Sequence, residues 1–437
     1  MINWRDFVLG DVVKFKGGSV FPKEAQGLAF GDLPFVKVSD MNRAENWKDL
    51  YGAENWLSVS AAKALKATIH EPGAVAFAKI GVALTYNRRR RVIRPTLLDN
   101  NMMSASTISK DLNQSFLYHL LQTIDFNTVS AGSALPYLTV GTLNKISVRL
   151  PPPEQQMGIS SLLDHLDEKI ELNRQMNETL ELMAQAIFRD WFVDFGPTRR
   201  KLEGATDPLT IMGGLVQGTE RAQALADLFP AALGDDGLPE GWESKPLLDQ
   251  ANWVNGAAYK NMHFSDDLDA LPVVKIAELK NGVTTSTKRT NTALGERYRI
   301  SDGELLFSWS GNPDTSIDAF VWIGGDAWLN QHIFAVRENG TRSRAALYVL
   351  LKALMPQFAE LARNRQTTGL GHVTKEDMKR LEIAVAPGPV EAAFEDVITP
   401  IFDLIVGKLF ENRTLAATRD LLLPELMSGE VRLTAAS

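Results

Sequence analysis

The densest run of charged side chains in this sequence is Asn87-Arg88-Arg89-Arg90-Arg91, followed at once by Arg94. Guanidinium groups present fixed forks of N–H donors that match phosphate oxygens. Four consecutive arginines on a loop or strand alternate faces and cannot all be buried. The chemistry expected of them is phosphate contact, with an affinity that falls steeply as salt displaces the released counterions. The competing reading is a loop that only keeps the protein soluble. Lys288-Arg289 and Arg363-Asn364-Arg365-Gln366 offer smaller clusters of the same kind.

Bond-making chemistry is harder to find. The six histidines, His70, His119, His165, His263, His332 and His372, show no His-Glu-x-x-His spacing, and there is no Gly-x-x-x-x-Gly-Lys-Ser/Thr loop for nucleotide phosphates. With no cysteine there is no thiolate nucleophile, thiolate metal site or disulfide. Asn312-Pro313-Asp314-Thr315 lacks the second proline and the aromatic of a methyltransferase motif, and Phe15-Lys16-Gly17-Gly18 is a poor glycine loop. Glu240 and Glu243 with Lys245 only superficially resemble a metal-dependent nuclease site. No metal is expected.

The functional groups sit on a chain of 437 residues, long enough for two or three domains. No apolar run reaches the ~18 residues of a membrane span, and the first residues lack a signal-peptide core, so a cytoplasmic location without membrane contact is expected. The net charge of −7 is unevenly spread: +6 over residues 1–150, −8 over 151–237, −1 over 238–386 and −4 over 387–437. Acid gathers in the segments with helical patterning and base in the first globular segment, a contrast more informative than the total.

The elements that must position these groups occur twice. Trp4, Leu9 and Asp11 match Trp242, Leu247 and Asp249 at an offset of 238, as does Leu33-Pro34-Phe35-Val36-Lys37-Val38 with Leu271-Pro272-Val273-Val274-Lys275-Ile276. Pro72-Gly73 and Phe77 to Gly81 resemble Asp302-Gly303 and Phe307 to Gly311 at 230, where Asn100 also meets Asn330; Thr139 and Ile146 meet Thr374 and Leu381 at 235. A period this long excludes a solenoid and indicates two domain-sized copies. Within each copy, short β-rich runs at 35–38, 74–78, 273–276 and 304–307 alternate with turn residues, and helices are expected at 115–123 and 344–364. The expected class is α+β.

Beyond each globular copy the pattern becomes a heptad seam: Ile159, Leu163, Leu166 and Ile170, then Leu180, Ala184, Ile187 and Trp191, with Asn173 and Asn177 at its middle. From Glu154 to Trp191 it spans roughly 57 Å at ~1.5 Å per residue, and Asp194, Gly196 and Pro197 mark its stop. The seam recurs at an offset of 239 as Ile398, Phe402, Ile405, Leu409, Asn412, Ala416 and Leu423. Pro400 should kink or begin this second helix and Pro424 should end it. Two such helices in one chain should pair antiparallel, with Asn173 and Asn412 adjacent at the middle to fix register; the alternative leaves both asparagines facing solvent. Residues 199–237 read as an irregular connector with one short helix near 220–228.

The stretch from Leu150 to Phe195 resembles the first conserved region of specificity subunits of Type I restriction–modification enzymes. It carries Pro151 to Pro153, Glu154-Gln155, Asp167-Glu168-Lys169-Ile170 and the spacing from Asn173 to Leu180. Leu238-Pro239-Glu240-Gly241-Trp242 is similar to the usual opening of that family's target-recognition domains, and Asp302 to Phe307 to a recurrent Gly-Asp-Ile-Leu segment. The second helix departs from the pattern: Ala386-Pro387-Gly388-Pro389-Val390-Glu391 stands where Pro-Glu-Gln would be. The resemblance implies two tandem target-recognition domains, 1–150 and 238–386. These are separated and joined by two long helices, 151–198 and 387–437, that form an antiparallel coiled coil with a pseudo-two-fold repeat. It implies double-stranded DNA, two methyltransferase subunits and nuclease–translocase restriction subunits as partners. It also implies no cofactor on this chain, S-adenosylmethionine on the methyltransferase subunits, and no catalysis by this chain.

Physical reasoning adds what a reader of DNA would need. Two different modules on rigid helices imply an asymmetric, bipartite target with an unread gap. Phosphate contacts would position each module and base contacts would specify. Arg and Lys suit guanine, Asn and Gln adenine. Candidates are Lys37, Ser39, Asn42 and Ser133 in the first copy, and Lys275, Lys280, Asn281, Ser310, Asn312, Gln366 and His372 in the second, each individually weak. Trp309 suits stacking at DNA or a place in the core. The competing function is a duplicated coiled-coil scaffold that binds no DNA.

Overall fold

A computed structural model describes residues 4–132, 135–365 and 370–433. Two compact units emerge: Met1–Lys169 with Leu415–Ser437, and Ile170–Thr414.

In the first unit a five-stranded sheet has the order Val13–Gly17, Met102–Thr107, Val75–Ala78, Arg89–Val92, Asp49–Leu50. A four-stranded sheet follows the order Asn55–Leu57, Leu33–Val36, Thr96–Leu98, Ile69–His70, and Arg5–Val8 pairs with Ser147–Leu150. The second unit repeats this plan. Its sheets run Asn252–Asn255, Ile333–Arg337, Leu305–Ser308, Asp318–Val321 and Arg289–Thr290, Leu271–Val274, Ala327–Leu329, Arg299–Ile300, while Glu243–Pro246 pairs with Glu382–Val385. Each smaller sheet holds one parallel pair, Leu33–Val36 with Thr96–Leu98 and Leu271–Val274 with Ala327–Leu329. Val75–Ala78 and Leu305–Ser308 are buried along their whole length, which is why Val75–Ala78 and Leu305-Leu306-Phe307 read as apolar runs instead of alternating ones.

One glycine pair shows how closely the copies agree. A Cβ on Gly18 would lie 2.0 Å from the Asp99 carbonyl oxygen, and one on Gly256 would lie 2.2 Å from that of Asn330. Each glycine precedes a parallel bridge, Ser19 with Asp99 and Ala257 with Asn330. Any side chain would force the strands apart. The structural partner of Asn330 is therefore Asp99, one residue from the Asn100 that the sequence offset suggests.

The helix expected at 115–123 runs Gln114–Gln122, capped by the Asn113 side chain. The expected 344–364 helix is two, Arg344–Ala353 and Met355–Asn364, bent by 55°. Pro356 explains the break, since it fits the first turn of a new helix but not the interior of an old one. Among the described residues no single helix is long and apolar enough to cross a membrane. The connector also differs from expectation. It forms Gly196–Leu202, Pro208–Ile211 and Thr219–Ala226, and buries Ile211, Met212, Ala222 and Phe229 in the core of the second unit.

Two long helices, Pro153–Phe192 and Gly388–Ser428, follow the globular parts of the copies. The second neither begins at Pro400 nor ends at Pro424: it starts at Gly388 and continues past both. Each interior proline costs about 3 kcal/mol, but both lie on the exposed face, where water can reach the freed carbonyls. Around Pro400, Phe394, Ile398, Phe402 and Ile405 are all buried, each contributing roughly 1.5–3 kcal/mol, so packing outweighs the defect.

Within the second unit the helices run antiparallel: the partners fall from 412 to 405 as the first helix rises from 173 to 177. Asn173 donates to Asn412 Oδ1 (2.9 Å), Asn412 to the Ile170 carbonyl (3.2 Å) and Asn177 to the Ile405 carbonyl (3.2 Å). Ile398, Phe402 and Ile405 are buried and Leu409 packs beside them, while Ile170 is half-buried. In the first unit Ile159 and Leu163 are buried and Leu166 half-buried. Buried amides weaken a seam but penalise any register that leaves them unpaired.

One buried group gives the first unit an acid limit. The His70 ring hydrogen-bonds Ser104 Oγ through Nδ1 (2.7 Å), and its Nε2 is buried without a partner. Burial, with the nearby Lys16 charge, pulls its pKa from 6.5 down to about 4. Between those values the unfolded chain binds the proton and the folded one does not, so stability is lost as the pH is lowered through that window. Urea titrations should show a loss of up to about 3 kcal/mol between pH 6.5 and 4, removed in His70→Leu. An equal acid dependence in the variant would disprove the assignment.

Candidate nucleic-acid interface

The arginine run is mostly internal, which corrects its reading as an open phosphate-binding patch. Arg89–Val92 is a strand of the larger sheet in the first unit. Arg89 is 3% exposed, lies 3.9 Å over the Phe126 ring and donates to the Asn87 and Ile124 carbonyls. Burial lowers its pKa to about 10, so it remains charged. Arg90 donates to the Arg89 and Met41 carbonyls, and Arg91 grips Asp49 through two bonds (2.6 and 2.9 Å) while reaching Asp164 (3.1 Å). Asn87 takes a positive φ of 53° and is used internally, donating to Asp125 and accepting from the Phe126 amide. Arg88 is half-buried over Tyr86 and bonded to Asn42, and only Arg94 of the run stands exposed, 5.9 Å over Trp56.

Several other candidates are likewise committed. Lys37 donates to Gln26 (2.8 Å), Arg289 to the Ala270 carbonyl (2.9 Å), and Arg365 pairs with the buried Asp377 (2.7 Å). Ser310 is buried in a strand pair, so it is not the exposed loop residue the sequence suggested. Lys280 reaches the Thr315 carbonyl, Asn281 the Ala277 carbonyl (3.1 Å), Arg363 pairs with Asp314, and Asn312 accepts from the Asp314 and Thr315 amides. Lys275 is exposed over Phe264, and Ser39, Asn42 and Lys288 are exposed. Ser133 and Gln366 lie outside the described residues.

Each globular copy is tied to the helix that follows it by the same device. Gln156 accepts the Asn113 backbone N–H (2.7 Å) at the start of Gln114–Gln122, and Glu395 accepts that of Ser343 (2.8 Å) at the start of Arg344–Ala353. A satisfied helix N-terminus thereby ties each globular part to the long helix that follows it.

The site that sequence reasoning largely missed lies where two distant segments meet. In the second unit Ser310–Gly311 pairs with Gly371–His372. Trp309, half-buried, donates its Nε1 to Asn255 (3.0 Å), and its ring lies 5.7 Å from His332 and 5.8 Å from His372. The core alternative for Trp309 is thus only half realised. In the first unit Ile80 bridges Tyr137, beside half-buried Lys79 and exposed Asn101. Among the described residues the Lys79 ammonium makes no hydrogen bond or ion pair. Trp309, Ser310 and His372 were the sequence signals here.

This arrangement has counterparts. Residues 1–182 and 239–391 match the Type I restriction modification DNA specificity domain. The chain is similar to the specificity subunit of the Type I restriction enzyme HindI of Haemophilus influenzae, with 25% identity over 99% of this chain and all of the other. It is equally similar, at 25%, to the MjaIX specificity subunit of Methanocaldococcus jannaschii, covering 98% of this chain and 94% of the relative. In fold it is similar to the crystal structure of a Type I restriction–modification S subunit from M. genitalium, with a TM-score of 0.53, 11% identity and coverage of 97% and 96%.

Proposed function

The chain belongs to the Type I restriction modification DNA specificity family, and from that premise we propose how it divides the work of a specificity subunit. The domain of residues 1–150 reads one half of an asymmetric bipartite DNA target, and the domain of 238–386 reads the other. The observation that carries this reading is the duplicated sheet topology, which keeps one backbone plan while changing the side chains on it. A duplicated plan with different surfaces suits two unlike half-sites on one duplex.

The long helices set the unread gap and dock two methyltransferase subunits. An apolar stripe supports the docking role: Leu172, Met176, Leu182 and Met183 are all exposed on the first long helix within the second unit. S-adenosylmethionine binds those partners, restriction subunits complete the nuclease, and the assembly acts on DNA in the cytoplasm. This chain supplies recognition and no catalytic step.

Replacing residues 1–150 by the corresponding domain of another specificity subunit should change one half of the methylated motif and leave the other half intact. Genome-wide methylation mapping reads the result. A change in both halves would overturn independent readout, and a motif that never depends on this chain would favour the scaffold function.

A further inference from the structure

We propose that the duplicated strand contact is the base-reading surface of each recognition domain, with Lys79, Asn101 and Tyr137 determining specificity in the first and Trp309, His332 and His372 in the second. The inference rests on the DNA-reading function and names the residues that would carry it.

The backbone frame at the two places is the same. In the second unit the Val373 amide donates to the Trp309 carbonyl (2.8 Å) and the Trp309 amide to that of His332 (3.4 Å). In the first, the Leu138 amide donates to the Lys79 carbonyl (2.8 Å) and the Lys79 amide to that of Asn101 (2.9 Å). The frame's glycines, Gly81 and Gly311, both hold positive φ, 78° and 123°, which bare backbone tolerates. On this common frame all three side chains differ in kind. An unchanged frame with changed chemistry is what two readers of unlike sequences require.

The side chains also suit base edges and faces. Lysine pairs with guanine O6 and N7, and asparagine pairs with adenine N6 and N7. Lys79 and Asn101 have no side-chain partner among the described residues, and Tyr137 is 43% exposed. In the second domain one indole between two imidazoles forms an aromatic surface. His332 and His372 are half-buried, so each keeps part of its surface exposed beside Trp309, while both Nδ1 atoms lie inside without partners. Burial, aided by His372, keeps the His332 pKa below its ordinary value, and Gln331 holds its Nε2 (3.1 Å).

The test maps the methylated motif in cells carrying the full chain with its methyltransferase partners. Wild type is compared with Lys79→Ala/Asn101→Ala and with Trp309→Phe/His372→Gln. The first double variant should relax one half of the motif and the second the other half, each by about 10-fold or more in discrimination against near-cognate sites. Thermal melting of each full chain accompanies the mapping. If the Trp309 variant melts early, His372→Gln alone must still relax its own half. A motif unchanged in both halves, or altered in the half opposite to the substituted domain, overturns the assignment. A wild-type chain on which no methylated motif depends would overturn the DNA-reading function itself, a result distinct from either.

Discussion

Replacing Asp167 by alanine should destabilise the first unit by about 3–5 kcal/mol, the usual cost of removing one partner from a buried ion network. Asp167 is 2% exposed and accepts Lys48 Nζ (2.8 Å) through one oxygen and Arg419 (2.9 Å) through the other. Lys48, also buried, has Asp164 as its second carboxylate (2.7 Å), which Arg91 and His119 share. Burial alone would raise the Asp164 pKa. Hydrogen bonds from His119 and Lys48 outweigh that and hold it well below the usual carboxylate range. Without Asp167, Lys48 keeps only Asp164, which it shares with Arg91, and Arg419 keeps only Asp420. Urea unfolding of the full chain measures the effect; a loss below about 1 kcal/mol would place the network among weak surface pairs. Because Lys48 and Arg91 belong to the globular part and Asp164 and Asp167 to the long helix, the variant should also loosen the seat of the first recognition domain.

Trp191→Ala should cost the second unit about 3–5 kcal/mol through the cavity it leaves. Trp191 is 1% exposed, with its ring 5.1 Å from Phe229 of the connector and 5.9 Å from Phe394 of the second long helix. It therefore joins three segments of one core. Its Nε1 is buried without a partner, so Trp191→Phe, which deletes that unsatisfied donor, should cost clearly less than the alanine variant. Thermal unfolding of both variants checks the order, and equal losses would mean that volume is not what Trp191 contributes.

Both predictions depend on contacts that sequence separation hides, and the arginine run shows the same limit. From composition it looked like an exposed patch. The groups that absorb it arrive from elsewhere in the chain: Phe126 and the Ile124 carbonyl for Arg89, Met41 for Arg90, Asp49 and Asp164 for Arg91. Strand alternation was anticipated, but not that both faces of this strand would find partners.

What the sequence alone determined was whatever repeats or has a period. The duplication, the heptad seams, the adjacency of Asn173 and Asn412, and the resemblance to specificity subunits all follow from spacing along the chain. A helix turns each interval into a face, and a repeated pattern folds alike twice. Only the tertiary structure decided which polar residues are free to work. Lys79, Asn101 and Tyr137 are far apart in sequence, as are Trp309, His332 and His372, and each set is assembled by pairing between strands. The prolines of the second long helix were decided there too, because whether a missing hydrogen bond matters depends on which face meets water. Burial and partnership are pairwise properties of distant segments, and no local pattern carries them.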